Sequence, residues 1–283
     1  MATPSYATRG ERIWHYVFLG LCALIFLFLV GPLLVIIPLS FNAQPYFTFS
    51  QEMLALDPAG YSLRWYEDFF TSSAWLNAIK NSFIVGIAST ILATILGTVA
   101  ALGLSSRHMP ARSAIMALLI SPMIVPLIIS AAAMFFFFSK VNLAQTYLGV
   151  VLAHTVLGIP FVVITVTATL SSFDTTLIRA AHSLGANPAR TFFKVVLPLV
   201  TPGVVSGALF AFITSFDEVV VVLFLAGPEQ RTMPIQMWSG IREQISPTIL
   251  AVATLLVLLS MLLLTTLELL RRRSERLRGV SPG

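Results

Sequence analysis

Residues 216–222 read FDEVVVV, two adjacent carboxylates inside a run that is otherwise apolar. A charge facing lipid at the centre of a membrane helix costs about 3 kcal/mol, so Asp217 and Glu218 need a reason to be there. Two chemistries supply one. An acid lining a passage favours a cationic solute, or a carboxylate bonds a neighbouring helix and orients the bundle. Adjacent helical residues point about 100° apart, so both can face the bundle only along a wide polar wall. Both are candidate substrate-pathway residues, and Asp217 is the sharper of the two.

Other site chemistry finds little material. A phosphate-cradling ATPase loop needs G-x-x-x-x-G-K-[ST], and the lysines Lys80, Lys140 and Lys194 all lack a preceding glycine. The sequence therefore predicts no catalytic residue and no cofactor bound by this chain. His15, His108, His154 and His182 are scattered, without cysteine or carboxylate at ligand spacing, so no metal site is expected. His154 reads as a packed histidine bonded to another helix. No span shows a nucleophile with a positioned base, which argues against an intramembrane protease.

The elements that must position Asp217 and Glu218 follow from composition. Of 283 residues, 57% are hydrophobic and 10% charged, with a mean hydropathy of +0.90. Soluble domains carry roughly a quarter charged residues, so lipid is the expected solvent. Six apolar runs approach the bilayer-spanning length: Ile13–Leu39, Ala78–Leu104, Ser113–Phe138, Tyr147–Leu170, Pro202–Ala226 and Thr248–Leu270. The fifth would place the acidic pair roughly 20 Å into a core of about 30 Å. The first is too long for a signal peptide. Pro32, Pro38, Pro122, Pro126 and Pro160 predict kinked helices. The single Cys22 precludes a disulfide within the chain.

Basic residues orient the spans. Arg9, Arg12, Arg107, Arg112, Arg179, Arg190, Lys194, Arg271, Arg272, Arg273, Arg276 and Arg278 fall on one side and make up most of the 17 Lys and Arg. The other side holds Arg64, Lys80, Lys140, Arg231 and Arg242 beside Glu52, Asp57, Glu67, Asp68, Glu229 and Glu243. The positive-inside rule puts both termini in the cytoplasm. The expected plan is a tail over 1–12, a six-span domain over 13–270 and a basic tail over 271–283. External segments cover 40–77 and 227–247. The net charge of +5 reflects this topology, and the arginine-rich tail reads as an anchor to anionic headgroups rather than a nucleic-acid site. The aromatic residues of YSLRWYEDFF and Trp238 suit either headgroup anchoring or a docking rim for an external partner.

The cytoplasmic loop over 175–200 is longer than a chain reversal needs. TTLIRAAHSLG predicts a short helix stopped at Gly185. NPARTFFKVVLP predicts a second, with Asn187 as N-cap and Pro188 at its first position. Phe192, Phe193, Val195 and Val196 would lie against the bundle. Two short helices at an angle form a rigid knob, with Ala180, Ala181 and Gly185 offering a surface for close approach.

The spacing of Ala180-Ala181, Gly185, Val195 and Leu197-Pro198 resembles the EAA loop of membrane permease subunits of type I ABC importers. YSLRWYEDF, NSFIVGIASTILATILGTVAALGL, AHTVLGIPFVV and SFDEVVVVLFLAGPEQRTMPIQMW resemble the spermidine/putrescine-type branch, over about Tyr61 to Leu270. The resemblance implies an all-α membrane protein with the type I importer transmembrane fold in a bacterial inner membrane. It implies a coupling helix over Arg179, Ala180, Ala181, His182, Ser183, Leu184, Gly185, Ala186 and Asn187 that docks on ATPase subunits. Arg179 stands where the family usually has Glu, which allows a charge-reversed partner contact or a shifted salt bridge. The implied partners are a second permease subunit in a heterodimer, two ATP-binding subunits holding ATP and Mg, and an external solute-binding protein. The implied solute is a polyamine, with γ-aminobutyrate or another small amine or acid as the alternative. From another class, a channel leaves the knob unexplained, and a secondary transporter should show an internal repeat that is not found.

Overall fold

A computed structural model describes residues 8–106, 109–171, 173–243 and 246–277, with backbone alone at 242–243, 263–264 and 266–277. Arg107, His108 and Arg278 lie outside the described residues, as do the side chains of Arg242, Glu243, Arg271, Arg272, Arg273 and Arg276. Among the described residues every regular element is a helix, apart from one isolated bridge between Asn42 and Tyr61. The chain divides into two compact units, one of Met1–Ser72 with Gly240–Gly283 and one of Ser73–Ser239.

In the first unit, α1 (Arg9–Leu39) opens with a capping box. Thr8 Oγ1 accepts the Glu11 N–H, and the Glu11 carboxylate accepts the Thr8 N–H. Apolar side chains are exposed on all its sides, Phe28 at 77%, which is the surface of a helix solvated by lipid or by another subunit. The segment after it folds on itself through α2 (Gln51–Leu54), a 3₁₀ turn at Pro58–Gly60 and α3 (Arg64–Thr71). Trp65 and Phe69 are buried there, and Trp65 Nε1 donates to the Asn42 carbonyl at 2.7 Å. Trp65 is thus a core residue of the segment, whereas Trp238 is exposed as a headgroup anchor would be.

The second unit is built on α4 (Ser73–Leu104). Its buried stripe of Ala78, Ser82, Val85, Ser89, Ala93, Gly97, Ala101 and Leu104 follows the helical period. These residues are mostly small, so other backbones approach closely. After α4 come α5 (Arg112–Ile124), α6 (Leu127–Lys140) and α7 (Tyr147–Ser171). The sequence predicts α5 and α6 as one kinked span, yet they meet at 104°. Val125 is extended, ψ 133°, because Pro126 disfavours the helical region for the residue before it.

Three further helices follow: α8 (Thr176–Ser183), α9 (Pro188–Thr191) and α10 (Leu197–Phe216). A π-turn over Phe192–Val196 joins α9 to α10 where Pro198 withdraws a donor, giving one helical rod of 29 residues from Pro188 to Phe216. Helices α4, α7 and α10 pack on one another. At Gly158 of α7 an added Cβ would lie 3.1 Å from the Cβ atoms of both Ala93 and Ala211, a tighter contact than most Cβ atoms make, so glycine lets the three-helix seam close there.

The predicted fifth span, Pro202–Ala226, is not continuous. The rod ends at Phe216 and a separate α11 (Val220–Leu225) follows. Asp217 and Glu218 therefore occupy a break between helices, not the middle of one. After it come a 3₁₀ turn at Pro228–Gln230, α12 (Met233–Glu243) and α13 (Thr248–Leu277). Four helices among the described residues are long and apolar enough to cross a membrane, or five with the α5–α6 pair counted as one span. Within α13, the residues described as apolar helix are Thr248–Leu262, shorter than a span.

Candidate functional site

The first of the two short helices that the sequence predicts forms as α8, but the second does not stand alone: α9 runs through the π-turn into α10 as the start of the long helix. Asp174 organises the start of α8, accepting the Thr176 N–H at 2.8 Å and the Thr176 hydroxyl at 2.7 Å. These bonds, the hydroxyl's first and then the backbone's, hold its carboxyl below the usual range, with a smaller contribution from the Arg179 charge. Arg179 thus lies within electrostatic reach of an acid in its own loop. At the other end of α8, Gly185 adopts φ +80°. Its N–H bonds the His182 carbonyl and the Ala186 N–H bonds the Ala181 carbonyl, both at 3.0 Å. This is a Schellman turn, which depends on a left-handed residue at that point. Asn187 then caps α9, its Oδ1 accepting the Arg190 N–H at 2.8 Å.

Between these caps the knob presents Arg179, Ala180, His182, Ser183, Leu184, Gly185 and Asn187 to the outside, with Ala181 and Ala186 half-buried. Leu184 is 87% exposed at the tip. Its neighbours Ser183 and Gly185 are small and exposed too. On the other helix Val196 and Thr191 are buried, while Phe193, expected against the bundle, is exposed.

The structure parts the two carboxylates. Asp217 is exposed at the end of α10, its N–H closing on the Ile213 carbonyl at 3.0 Å. Glu218 is 7% exposed, and its Oε1 accepts the Val221 N–H at 2.8 Å, satisfying a free donor in the first turn of α11. They do not form a shared acidic wall. One closes a helix start and the other faces open space.

Two residues before the break, a buried polar string crosses the three-helix seam. Ser89 Oγ donates to Ser215 Oγ at 3.0 Å, and His154 Nδ1 lies 2.7 Å from the same Ser215 oxygen. His154, 1% exposed, is the packed interhelical histidine the sequence predicts. Ser89 and Ser215 carry no such signal, being ordinary small residues until the helices bring them together.

A second cluster escaped sequence reasoning. Asn81 Nδ2 donates to the carbonyls of Glu229 at 2.7 Å and Arg231 at 2.9 Å. Tyr147 OH donates to Asn81 Oδ1 at 2.8 Å and lies 3.0 Å from the Glu229 carbonyl. Ser82 Oγ accepts the Met233 N–H at 2.7 Å. The starts of α4 and α7 thereby clamp the 229–233 loop. These partners lie far apart along the chain, and no short motif announces them.

With this geometry in view, residues 93–277 match the family described as binding-protein-dependent transport system inner membrane component. The chain is 29% identical over 251 residues to the spermidine/putrescine transport system permease protein PotC of Haemophilus influenzae, covering 89% of this chain and 95% of that protein. It is 30% identical over 239 residues to the putrescine transport system permease protein PotI of Escherichia coli, covering 82% of each. Its fold superposes with a TM-score of 0.76, at 15% identity and over 94% of this chain and 99% of the other, on a chain of a bacterial ABC transporter that imports the acidic polysaccharide alginate. That transporter's cargo is acidic, so the shared fold does not set the charge of the solute. The match over residues 93–277 covers most of the chain and shows its family: the chain belongs to the inner-membrane permease components of binding-protein-dependent ABC importers.

Proposed function

We propose that this chain forms part of the path by which a polyamine such as putrescine or spermidine crosses the membrane. In this reading the knob at Arg179–Asn187 docks on ATP-binding subunits, which hold ATP and Mg. A second, non-identical permease subunit completes the path, and a solute-binding protein delivers the cation from outside. Both termini and the knob face the cytoplasm, six segments cross the bilayer, and the segments over 40–77 and 227–247 face outward.

The observation that carries the solute assignment is the exposed Asp217 carboxylate at the α10–α11 break, in a chain whose PotC and PotI relatives are named for polyamines. A fixed negative charge in a confined passage attracts a cation and repels an anion. The test is uptake into liposomes by the reconstituted complex, with ATP supplied to the ATPase subunits and a polyamine-binding protein on the opposite side. ATP-dependent entry of labelled putrescine or spermidine supports the assignment. Entry of a zwitterionic amino acid with no polyamine entry overturns it.

A further inference from the structure

Beside the clamped 229–233 loop lies a cleft of about 360 Å³, lined by Ala74, Asn77, Ala78, Asn81, Pro228, Arg231 and Gln236. Among the described lining residues the one formal charge is the Arg231 guanidinium, accompanied by the side-chain amides of Asn77 and Gln236, while that of Asn81 is taken up by the clamp. Glu229 gives its carbonyl to Asn81 but does not line the cleft. The walls are fixed from below. Asn81 is 3% exposed and spends both amide donors on loop carbonyls, including that of Arg231 itself. Gly227 N–H is held by Gln230 Oε1 at 2.9 Å, and Gln145 N–H by the Leu225 carbonyl at 2.8 Å. The backbone presenting Arg231 is therefore set before any ligand arrives, which lowers the ordering cost of binding.

We infer that this cleft receives a carboxylate side chain of the solute-binding protein when that protein docks. The inference rests on the importer reading and on its outward placement of residues 227–247. A guanidinium fork matches a carboxylate in two parallel hydrogen bonds, and amides at the rim can satisfy the remaining lone pairs. A polycationic solute is repelled by Arg231, so the cleft is not a stop on the cargo's route. Asp217 and Arg231 thus divide recognition by sign: the exposed acid attends to the cargo, and the cleft attends to its carrier. The family's dependence on a binding protein requires such a protein to seat on the outward face, and this cleft is a preformed cationic socket there.

The test is ATP hydrolysis by the reconstituted complex, titrated with solute-loaded binding protein. Arg231→Glu should raise the half-saturating concentration about tenfold or more, and Arg231→Lys by less, since the charge remains while the fork is lost. Asn77→Asp, at an exposed position that takes no part in the clamp, should raise it in the same direction. Higher ionic strength should weaken docking of the wild type more than of Arg231→Glu. Gel filtration of each complex reports its assembly independently of docking. Unchanged half-saturation in Arg231→Glu and Asn77→Asp overturns the cleft assignment while leaving the importer reading intact. A wild-type complex that no binding protein stimulates overturns both.

Discussion

Glu218 and Val221 are joined across the first turn of α11, the Glu218 carboxylate accepting the Val221 N–H at 2.8 Å. The buried acid is thus committed to its own backbone. The hydrogen bond needs an acceptor and no net charge. Glu218→Gln should therefore keep most of the complex's abundance in the membrane. Glu218→Ala should lose about 1 kcal/mol of stability, the usual cost of removing such a cap. Thermal unfolding of the detergent-purified complex measures the difference. Equal losses for the two variants would show that the charge, not the cap, matters at this position.

Asp217 makes the opposite case, being exposed and free of such a role. Asp217→Asn keeps size and hydrogen-bonding capacity but removes the charge. Polyamine uptake should fall severalfold or more, at unchanged assembly and membrane abundance. Uptake of a zwitterion should fall less, because it brings its own carboxylate. Undiminished polyamine uptake at equal abundance would falsify the pathway role.

At the knob, Leu184 contributes little to the fold and Gly185 contributes a great deal. Leu184→Asp should leave the chain stable while sharply reducing recovery of ATPase subunits in co-purification. Gly185→Ala places a Cβ at φ +80° and should cost about 1–2 kcal/mol, loosening the Schellman turn and weakening the same recovery. Full recovery and uptake in both variants would remove the knob from the coupling contact.

Topology is checked with single cysteines in a Cys22→Ala background. Leu54→Cys in the 40–77 segment and Leu184→Cys at the knob sit at highly exposed positions. An impermeant thiol reagent applied to intact cells should label the first and spare the second. The reverse pattern would invert the proposed orientation.

Much of this architecture is legible in the sequence because lipid imposes simple rules. Apolar length marks the membrane-spanning helices, and the caps at Gly185 and Asn187 are local, so a few residues suffice to read them. The breaks are less legible. A hydropathy window averages over Val125–Pro126 and over Asp217–Val219, although two or three residues out of helical geometry are enough to turn the chain. The Asn81–Tyr147 clamp and the Ser89–Ser215 pair that His154 meets are invisible for another reason. They join residues of common type across long stretches of chain, and only helix packing decides that they meet.

The helix from Pro188 to Phe216, continuous through its π-turn, has a mechanical consequence. Its 29 residues extend about 43 Å at about 1.5 Å per residue. One end is fixed to the knob through the Asn187 cap, and the other stops at Asp217. Pivoting such a rod by about 5° at its knob end sweeps the Asp217 end through about 4 Å. That stroke is comparable to the width of an alkyl chain, the slimmest part of a polyamine. On the proposed reading, a slight rocking of the ATP-binding subunits against the knob would swing the Asp217 carboxylate across the breadth of a polyamine.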